Sequence, residues 1–132
     1  MKTTLYIFLA LTFLFSCKKY EHTDLISQGH YYIENGDTIS TCFIPTAFTP
    51  QTRDGINDEF KPIVTGYLEG SFSVKIYSQN SDLLFSSSLP ENGWDGTYHG
   101  GYYQSVYASV QVRFTASNGN ELQFESPLLV QY

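Results

Sequence analysis

Alternation of apolar and polar residues is the strongest signal along the chain. Apolar side chains occupy every second position from Val106 to Phe114, and polar or small residues lie between most of them. A shorter run from Phe72 to Tyr77 alternates in the same way. Because successive side chains of a strand point to opposite faces, both runs predict strands with one buried face. No stretch of the chain has a convincing helical period.

Turn-forming residues separate these runs from further strands. Asn35 and Gly36 lie between two strand-like segments of residues 30–42, and this pair favours the tight type I′ turn of a β-hairpin. The Asn-Gly-Asn triplet at residues 118–120 indicates another turn. Shorter strands are predicted over residues 59–64 and 83–87, and a final strand pair, broken at Pro127, over residues 122–130.

The composition supports an all-β domain. Of 132 residues, 42% are hydrophobic, 17% are aromatic and only 15% are charged. Aromatic and β-branched side chains suit a pleated surface, and the length suits one small domain. We therefore predict an all-β fold, an immunoglobulin-like β-sandwich of about seven antiparallel strands, over residues 30–132.

The N-terminal residues have the pattern of a bacterial lipoprotein signal. Lys2 precedes an apolar run over residues 5–15, which is too short to span a bilayer as a helix. Leu14 and Ser16 precede Cys17 in an arrangement that resembles the lipobox. At a lipobox, signal peptidase II cleaves before a cysteine that carries a diacylglyceryl group.

Acylation of Cys17 would anchor the mature chain to a membrane. Two or more acyl chains give stable anchoring, because each buried methylene contributes about 0.8 kcal/mol. We expect residues 1–16 to be removed as a signal peptide, and residues 17–29 to form the lipidated cysteine and a polar tether. The expected location is the cell envelope, as an outer-membrane lipoprotein, with the leaflet left open. The alternatives are an ordinary secretory signal with an incidental Cys17, or a core strand.

Charge and cysteine content narrow the choice of partners. The formal net charge is -6, and an acidic chain repels phosphate backbones, which argues against nucleic acid as a partner. If Cys17 is acylated, Cys42 has no cysteine partner within the chain. A buried, inert thiol is the favoured interpretation of Cys42, and an intermolecular disulfide is the alternative.

Two segments together resemble a known domain family. The first, IPTAFTPQTRDGINDEF, covers residues 44–60, and the second, WDGTYHGGYYQSVYASVQV, covers residues 94–112. They resemble the gliding motility-associated C-terminal domain, also called the type IX secretion system type B sorting domain, over about residues 43–132. The resemblance implies a link to type IX secretion or gliding machinery. Since the domain follows a lipid anchor here, we expect a free-standing copy of the fold.

A short acidic loop in the first segment is the best candidate for a metal site. Asp54, Asn57 and Asp58 surround Gly55, and closely spaced carboxylate and amide oxygens suit a hard cation such as calcium. The spacing is not that of an EF-hand, and Arg53 lowers the local negative charge. The favoured alternative is a turn in which Asp and Asn side chains bond to their own backbone.

The second segment contains a cluster of aromatic residues. Tyr98, Tyr102 and Tyr103 are candidates for an interaction surface that stacks on a glycan or contacts an envelope or secretion-machinery protein. The alternative is packing at a strand edge with the hydroxyl groups in water. Trp94 is expected to pack on the core, before a turn at Asp95 and Gly96.

The sequence gives little support for catalysis. The three histidines are isolated, with no HExxH spacing, and no GxSxG nucleophile motif is present. We therefore predict a non-enzymatic envelope lipoprotein that acts as a structural or protein-interaction module. A small carbohydrate-binding or calcium-binding surface module is the alternative.

Overall fold

The computed structural model describes residues 29–132, and this part of the chain is all-β. The predicted signal peptide, Cys17 and the tether before Gly29 lie outside the described residues. No helix in the described part is long and apolar enough to cross a membrane. The strands are β1 (Gly29–Glu34), β2 (Asp37–Phe43), β3 (Ala47–Phe48), β4 (Ile63–Thr65), β5 (Ser73–Ser78), β6 (Leu83–Ser87), β7 (Thr97–Tyr98), β8 (Gly101–Tyr102), β9 (Tyr107–Thr115) and β10 (Glu121–Val130).

The strands form two larger sheets and one small hairpin. The first sheet has the order β1-β2-β4, the second has the order β3-β10-β9-β5-β6, and β7 pairs with β8. The expectation of antiparallel strands is wrong for one pair, because β3 lies parallel to β10, with Ala47 beside Leu129 and Phe48 beside Val130. The chain passes from β2 in the first sheet to β3 in the second through only residues 44–46.

The two larger sheets share one hydrophobic core, an arrangement consistent with a β-sandwich. Alternation along β9 buries Ala108, Val110, Val112 and Phe114, which confirms that the even-numbered face of this strand points inward. The second sheet also contributes four residues from two other strands to this core, Val74 and Ile76 of β5 and Leu128 and Val130 of β10. The first sheet contributes Cys42 of β2, and Ile44, directly after β2, is buried in the same core.

The hairpin predicted around Asn35 and Gly36 is confirmed. β1 and β2 pair antiparallel up to Glu34 and Asp37, and the two turn residues have φ of 53° and 88°. Positive φ at both positions defines the type I′ turn, and its twist matches that of the flanking strands. The register shifts between Tyr32 and Ile33, so the two strands are not regular along their whole length.

Two predicted strand boundaries differ from the structure. Val106 was expected inside the longest alternating strand, but it lies one residue before β9 and is 48% exposed. The chain bends at Val106 on its way from the β7–β8 hairpin, so the side chain points away from the core. The strand predicted over residues 59–64 covers only Ile63–Thr65, while Phe60 forms an isolated bridge with Trp94. The strand predicted over residues 83–87 is confirmed as β6.

The break expected at Pro127 is also wrong, because β10 continues through the proline as one strand. Leu129 and Gln131 donate their backbone N–H groups toward β3, to the carbonyls of Thr46 (2.7 Å) and Phe48 (3.0 Å). Pro127 lies two residues earlier, so its nitrogen is on the same side of β10, beyond the end of the two-residue β3. No ladder hydrogen bond is therefore lost where proline lacks the N–H group.

Candidate functional site

The two segments that carry the family resemblance meet at one end of the sandwich. The backbones of Phe60 and Trp94 exchange two hydrogen bonds, at 2.8 and 3.0 Å. The Trp94 ring packs on Phe48 with 5.4 Å between ring centroids. A Cβ atom on Gly96 would lie 2.8 Å from the ring of Pro50, so the two segments are also in close contact at this point. We call this packed contact of residues 44–60 with residues 94–98 the motif junction.

Trp94 and the turn after it hold the motif junction together. Trp94 is 2% exposed, and its Nε1 donates to the carbonyl of Thr97 at 2.9 Å. An Asp95 carboxylate oxygen accepts hydrogen bonds from the Thr97 hydroxyl (2.6 Å) and backbone N–H (3.0 Å), and Gly96 has φ of 80°. The hydrogen bond from the Thr97 hydroxyl lowers the pKa of Asp95, with a smaller contribution from the Arg53 charge. The geometry is that of a core tryptophan followed by a turn.

The acidic loop uses its carboxylates to support its own backbone. Asp54 accepts a hydrogen bond from the N–H of Ile56 at 2.9 Å, and Asp58 accepts one from the N–H of Gly55 at 2.8 Å. Thr52 also donates to Asp58, at 3.3 Å. The loop needs this support because Gly55 is flanked by two further residues with positive φ, Arg53 at 47° and Asn57 at 56°.

The calcium interpretation of the same loop stays a prediction. Asp54, Asn57 and Asp58 lie in one turn, as the interpretation requires, but both carboxylates already accept backbone hydrogen bonds. The carbonyl of Asn57 accepts a hydrogen bond from the N–H of Thr49 at 2.9 Å. Within residues 29–132, no group of three or more His, Cys, Asp or Glu side chains is placed to hold a metal ion.

A small hairpin positions the predicted aromatic cluster. β7 and β8 pair through Thr97 with Tyr102 and Tyr98 with Gly101, and the turn between them has positive φ at its two central residues, His99 and Gly100. This is again the pattern of a type I′ turn. The hairpin is fixed to the motif junction, because the N–H of Tyr103 donates to the carbonyl of Gly96 at 2.8 Å.

The three tyrosines line one open groove together with the turn between β5 and β6. The groove has a volume of about 390 Å³, and we call it the tyrosine groove. Its two sides come from distant parts of the chain, the β5–β6 turn and the β7–β8 hairpin with the residues after it. The lining residues are Ser78, Gln79, Asn80, Asp82, Leu84, Tyr98, Tyr102, Tyr103, Gln104 and Ser105.

The tyrosines differ in what holds them. Tyr98 and Tyr103 also pack against the hydrophobic core, and the Tyr103 hydroxyl donates to the carbonyl of Tyr107 at 2.9 Å. Tyr102 is held by surface contacts instead. Its ring lies 6.4 Å from that of Tyr132, and its hydroxyl accepts a hydrogen bond from Arg53 at 3.2 Å. The three tyrosines therefore lie together at the edge of the β7–β8 hairpin and line one groove, and their role as an interaction surface stays a prediction.

The polar side of the groove was not identified from the sequence. Ser78 orders the β5–β6 turn, because its hydroxyl oxygen accepts hydrogen bonds from the N–H groups of Asn80 and Asp82, both at 3.1 Å. This turn places Gln79, Asn80 and Asp82 beside the tyrosines. The sequence shows turn-forming residues at this point, but no local pattern relates them to a hairpin that follows β6.

Cys42 is buried in the core of the described domain. The side chain is 1% exposed, and burial raises the pKa of Cys42 to about 12. A thiol with such a pKa is protonated at neutral pH and is a poor nucleophile. Cys42 is also free rather than disulfide-bonded, which fits the interpretation of a buried, inert thiol.

Comparison of the chain with protein-family models, with curated proteins and with solved structures gives no match. The resemblance to the gliding motility-associated domain therefore depends on the two sequence segments. The fold contributes the spatial relation between them, because both segments contribute to the motif junction.

Proposed function

We propose that this protein is a non-enzymatic lipoprotein of the bacterial cell envelope that binds a protein partner through the tyrosine groove. The observation that carries the proposal is the groove itself, which brings Tyr98, Tyr102 and Tyr103 together with a polar turn. The resemblance adds the kind of partner, a component of the envelope, of type IX secretion or of the gliding machinery. An immunoglobulin-like topology is part of the same proposal.

The chemistry of the groove suits protein recognition. Tyrosine gives a large, rigid contact area and a hydroxyl group for hydrogen bonding, and it is enriched at protein interfaces. Two of the three rings are anchored in the core, so little side-chain freedom is lost when a partner binds. Amide and carboxylate groups of Gln79, Asp82 and Gln104 supply hydrogen bonds at the rim.

The lipid anchor is tested by metabolic labelling with a fatty-acid analogue. The parent protein should incorporate the label, and Cys17→Ser should lose it, because the thiol that accepts the diacylglyceryl group is then missing. Cys42→Ser is the matched control and should retain the label. Labelling of Cys17→Ser at the level of the parent would contradict the anchor.

The link to type IX secretion is tested by protease shaving of intact cells, in the parent strain and in a strain deficient in that pathway. Loss of the protein in the parent strain alone supports export to the surface by that route. Protection in both strains contradicts surface export and favours a periplasmic accessory.

The binding surface is tested by photo-crosslinking in cells. A photoreactive amino acid at position 102 should give a defined adduct with a protein partner, whereas the same amino acid at Lys75, an exposed position on the opposite face of the second sheet, should not. Equal adducts at both positions, or none at position 102, would contradict binding in the groove.

A glycan is the second candidate ligand, and the lining of the groove favours it specifically. Tyrosine rings beside Gln79, Asn80 and Asp82 offer both a stacking surface and hydrogen-bonding groups for sugar hydroxyls. On a glycan array, Tyr102→Ala should abolish binding of the protein to the glycans that the parent binds. Tyr107 is an exposed tyrosine outside the groove, so Tyr107→Ala should bind them like the parent. Retention that is unchanged in Tyr102→Ala excludes this candidate.

A further inference from the structure

The outer face of the first sheet carries large apolar side chains in water. Tyr31 and Ile33 of β1 are 59% and 54% exposed, Phe43 of β2 is 38% exposed, and Ile63 of β4 is 61% exposed. The strand register explains why they share a face. Phe43 lies directly opposite Ile63, and Cys42, the neighbour of Phe43, points inward and is buried. We call this surface the apolar face.

The apolar face contains no charged residue. Its first row across the sheet is Gly29, Phe43 and Ile63, and the next row is Tyr31, Thr41 and Thr65. Beyond the register shift, Ile33 lies opposite Thr38 in a third row. The ring of Tyr31 lies along the surface over Gly29, where a Cβ atom would be 3.3 Å from it. In a chain with a net charge of -6, a face of eight strand positions without a charge needs a physical explanation.

The other outer face of the protein shows that the fold does not require an apolar surface. On the second sheet, Arg113 donates to Gln123 at 2.7 Å, and Gln111 donates to Glu125 at 3.0 Å. Lys75 lies beside Gln111 in the same row. One outer face therefore has the charged and polar side chains expected in water, and the other does not. The largest apolar patch on a protein surface is often a contact site.

The chain outside the structure indicates what covers the apolar face. β1 begins at Gly29, in the first row of the face, and residues 18–28 join it to Cys17. Eleven residues extend at most about 40 Å in any conformation. If Cys17 carries acyl chains, the sheet with the apolar face is held close to a bilayer.

A second copy of the chain fits the apolar face less well than a bilayer does. Its four large apolar side chains, each about half exposed, present roughly 400 Å². A stable dimer buries about 800 Å² on each partner. A lipid surface has no such minimum area, because the anchor already supplies the association and the face only has to orient the domain.

We propose that the apolar face docks on the surface of the membrane to which the protein is anchored. The proposal rests on the proposed acylation of Cys17. Ile33 and Ile63 enter the boundary between headgroups and acyl chains, while Tyr31 and Phe43 lie at the headgroup level, where aromatic side chains are favoured. Because the protein is acidic, apolar contact rather than attraction to anionic lipid drives docking, so added salt does not release it.

The test uses the acylated protein in phosphatidylcholine vesicles that contain brominated lipid. One variant carries Thr65→Cys on the apolar face and the other carries Lys75→Cys on the opposite outer face, each labelled with an environment-sensitive fluorophore. Cys42 does not interfere, because it is buried and protonated. We expect quenching at position 65 to exceed that at position 75 about threefold or more, since a docked face lies roughly 5–10 Å into the interface.

Variants on the face separate docking from anchoring. Ile33→Asp with Ile63→Asp should remove the excess quenching at position 65 while the protein still floats with the vesicles. Equal quenching at positions 65 and 75 in floating protein overturns docking and leaves the anchor intact. Failure of the parent to float overturns the anchor and docking together. A dimer that crosslinks through position 65 without lipid quenching assigns the face to a second copy and also overturns docking.

Discussion

Single residues set several backbone conformations in this fold, and Gly66 is the clearest case. Its φ of 65° is one that L side chains rarely adopt, and a Cβ atom there would overlap the carbonyl oxygen of Ile39. The contact is with backbone, so no side-chain rotation relieves it. The Gly66 carbonyl also accepts hydrogen bonds from the Ser40 hydroxyl and the Ser117 N–H, which ties β4 to two other segments.

Gly66→Ala should therefore destabilise the protein far more than a glycine replacement in open space. We expect a loss of about 3 kcal/mol or more in the free energy of unfolding, because steric overlap is added to backbone strain. Gly70→Ala is the matched control, with φ of 78° and nothing within 4 Å of the added Cβ, and should cost about 1 kcal/mol. Urea unfolding measures both, and equal losses would contradict the overlap at Gly66.

Cys42 gives a prediction about alkaline pH. Its pKa is raised from 9.0 to about 12 in the folded state, so the folded protein holds this proton more tightly than the unfolded chain. The contribution to stability is complete below pH 9 and is lost as the pH rises toward 12. The advantage of the parent over Cys42→Ala should thus fall by about 1.4 kcal/mol per pH unit in this range. Urea unfolding at several pH values checks the slope, and a constant difference would contradict it.

One experiment on the acidic loop can distinguish a turn from a calcium site. If Asp58 serves only the turn, Asp58→Ala should cost about 1 kcal/mol, because the N–H of Gly55 loses its acceptor, and calcium should leave the melting midpoint of the parent unchanged. If the loop is a calcium site, calcium should raise the midpoint of the parent and Asp54→Ala should abolish the rise. Melting curves with calcium and with a chelator decide between these outcomes.

At the scale of elements, long alternating runs could be predicted from the sequence and short strands could not. β5 and β9 were predicted because six or more residues show a two-residue period, and the β1–β2 hairpin because Asn-Gly favours its turn. β3, β7 and β8 have two residues each, too few to show any period. The parallel pairing of β3 with β10 depends on contacts between distant residues, which no local pattern contains.

Pro127 leads to a prediction about the exposed edge of β10. Because its nitrogen faces the β3 side of β10 at a position beyond the end of β3, Pro127→Val should change the free energy of unfolding by no more than about 0.5 kcal/mol. The variant adds an N–H group and a β-branched side chain to an open edge, so it should self-associate more readily. Light scattering against concentration measures this, with Ser109→Val as the control, and a large loss of stability would contradict the edge position.

For the whole molecule, the motif junction explains why the two family-like segments belong together. Phe48 and Trp94 are far apart in sequence but their rings are in contact, and both are buried. In a double-mutant cycle, Phe48→Leu and Trp94→Phe should show a coupling of about 0.5–1.5 kcal/mol. Phe114→Leu with Trp94→Phe is the control, and its effects should be additive. Urea unfolding followed by circular dichroism measures both cycles, because the variants that carry Trp94→Phe lack the single tryptophan and cannot be followed by its fluorescence.

Only one side of the tyrosine groove, the side formed by the tyrosines, could be predicted from the sequence. Tyr98, Tyr102 and Tyr103 are close in sequence, and their chemistry singles them out as a cluster. The opposite side of the groove comes from the β5–β6 turn, whose Gln79, Asn80 and Asp82 have no distinctive local pattern. Their position depends on how the β7–β8 hairpin packs on the second sheet. Sequence analysis therefore finds the residues of a site when they are local and misses those that tertiary packing adds.

The position of β10 has a consequence for the cooperativity of unfolding. This strand lies between β3 and β9 and buries Leu128 and Val130 completely. In the described sheet β3 pairs with β10 alone, so β3 cannot stay in the sheet once β10 detaches. Detachment of β10 also removes a long antiparallel partner from β9 and opens the core. The second sheet is therefore expected to lose β3, β10 and the core packing of β9 in a single transition.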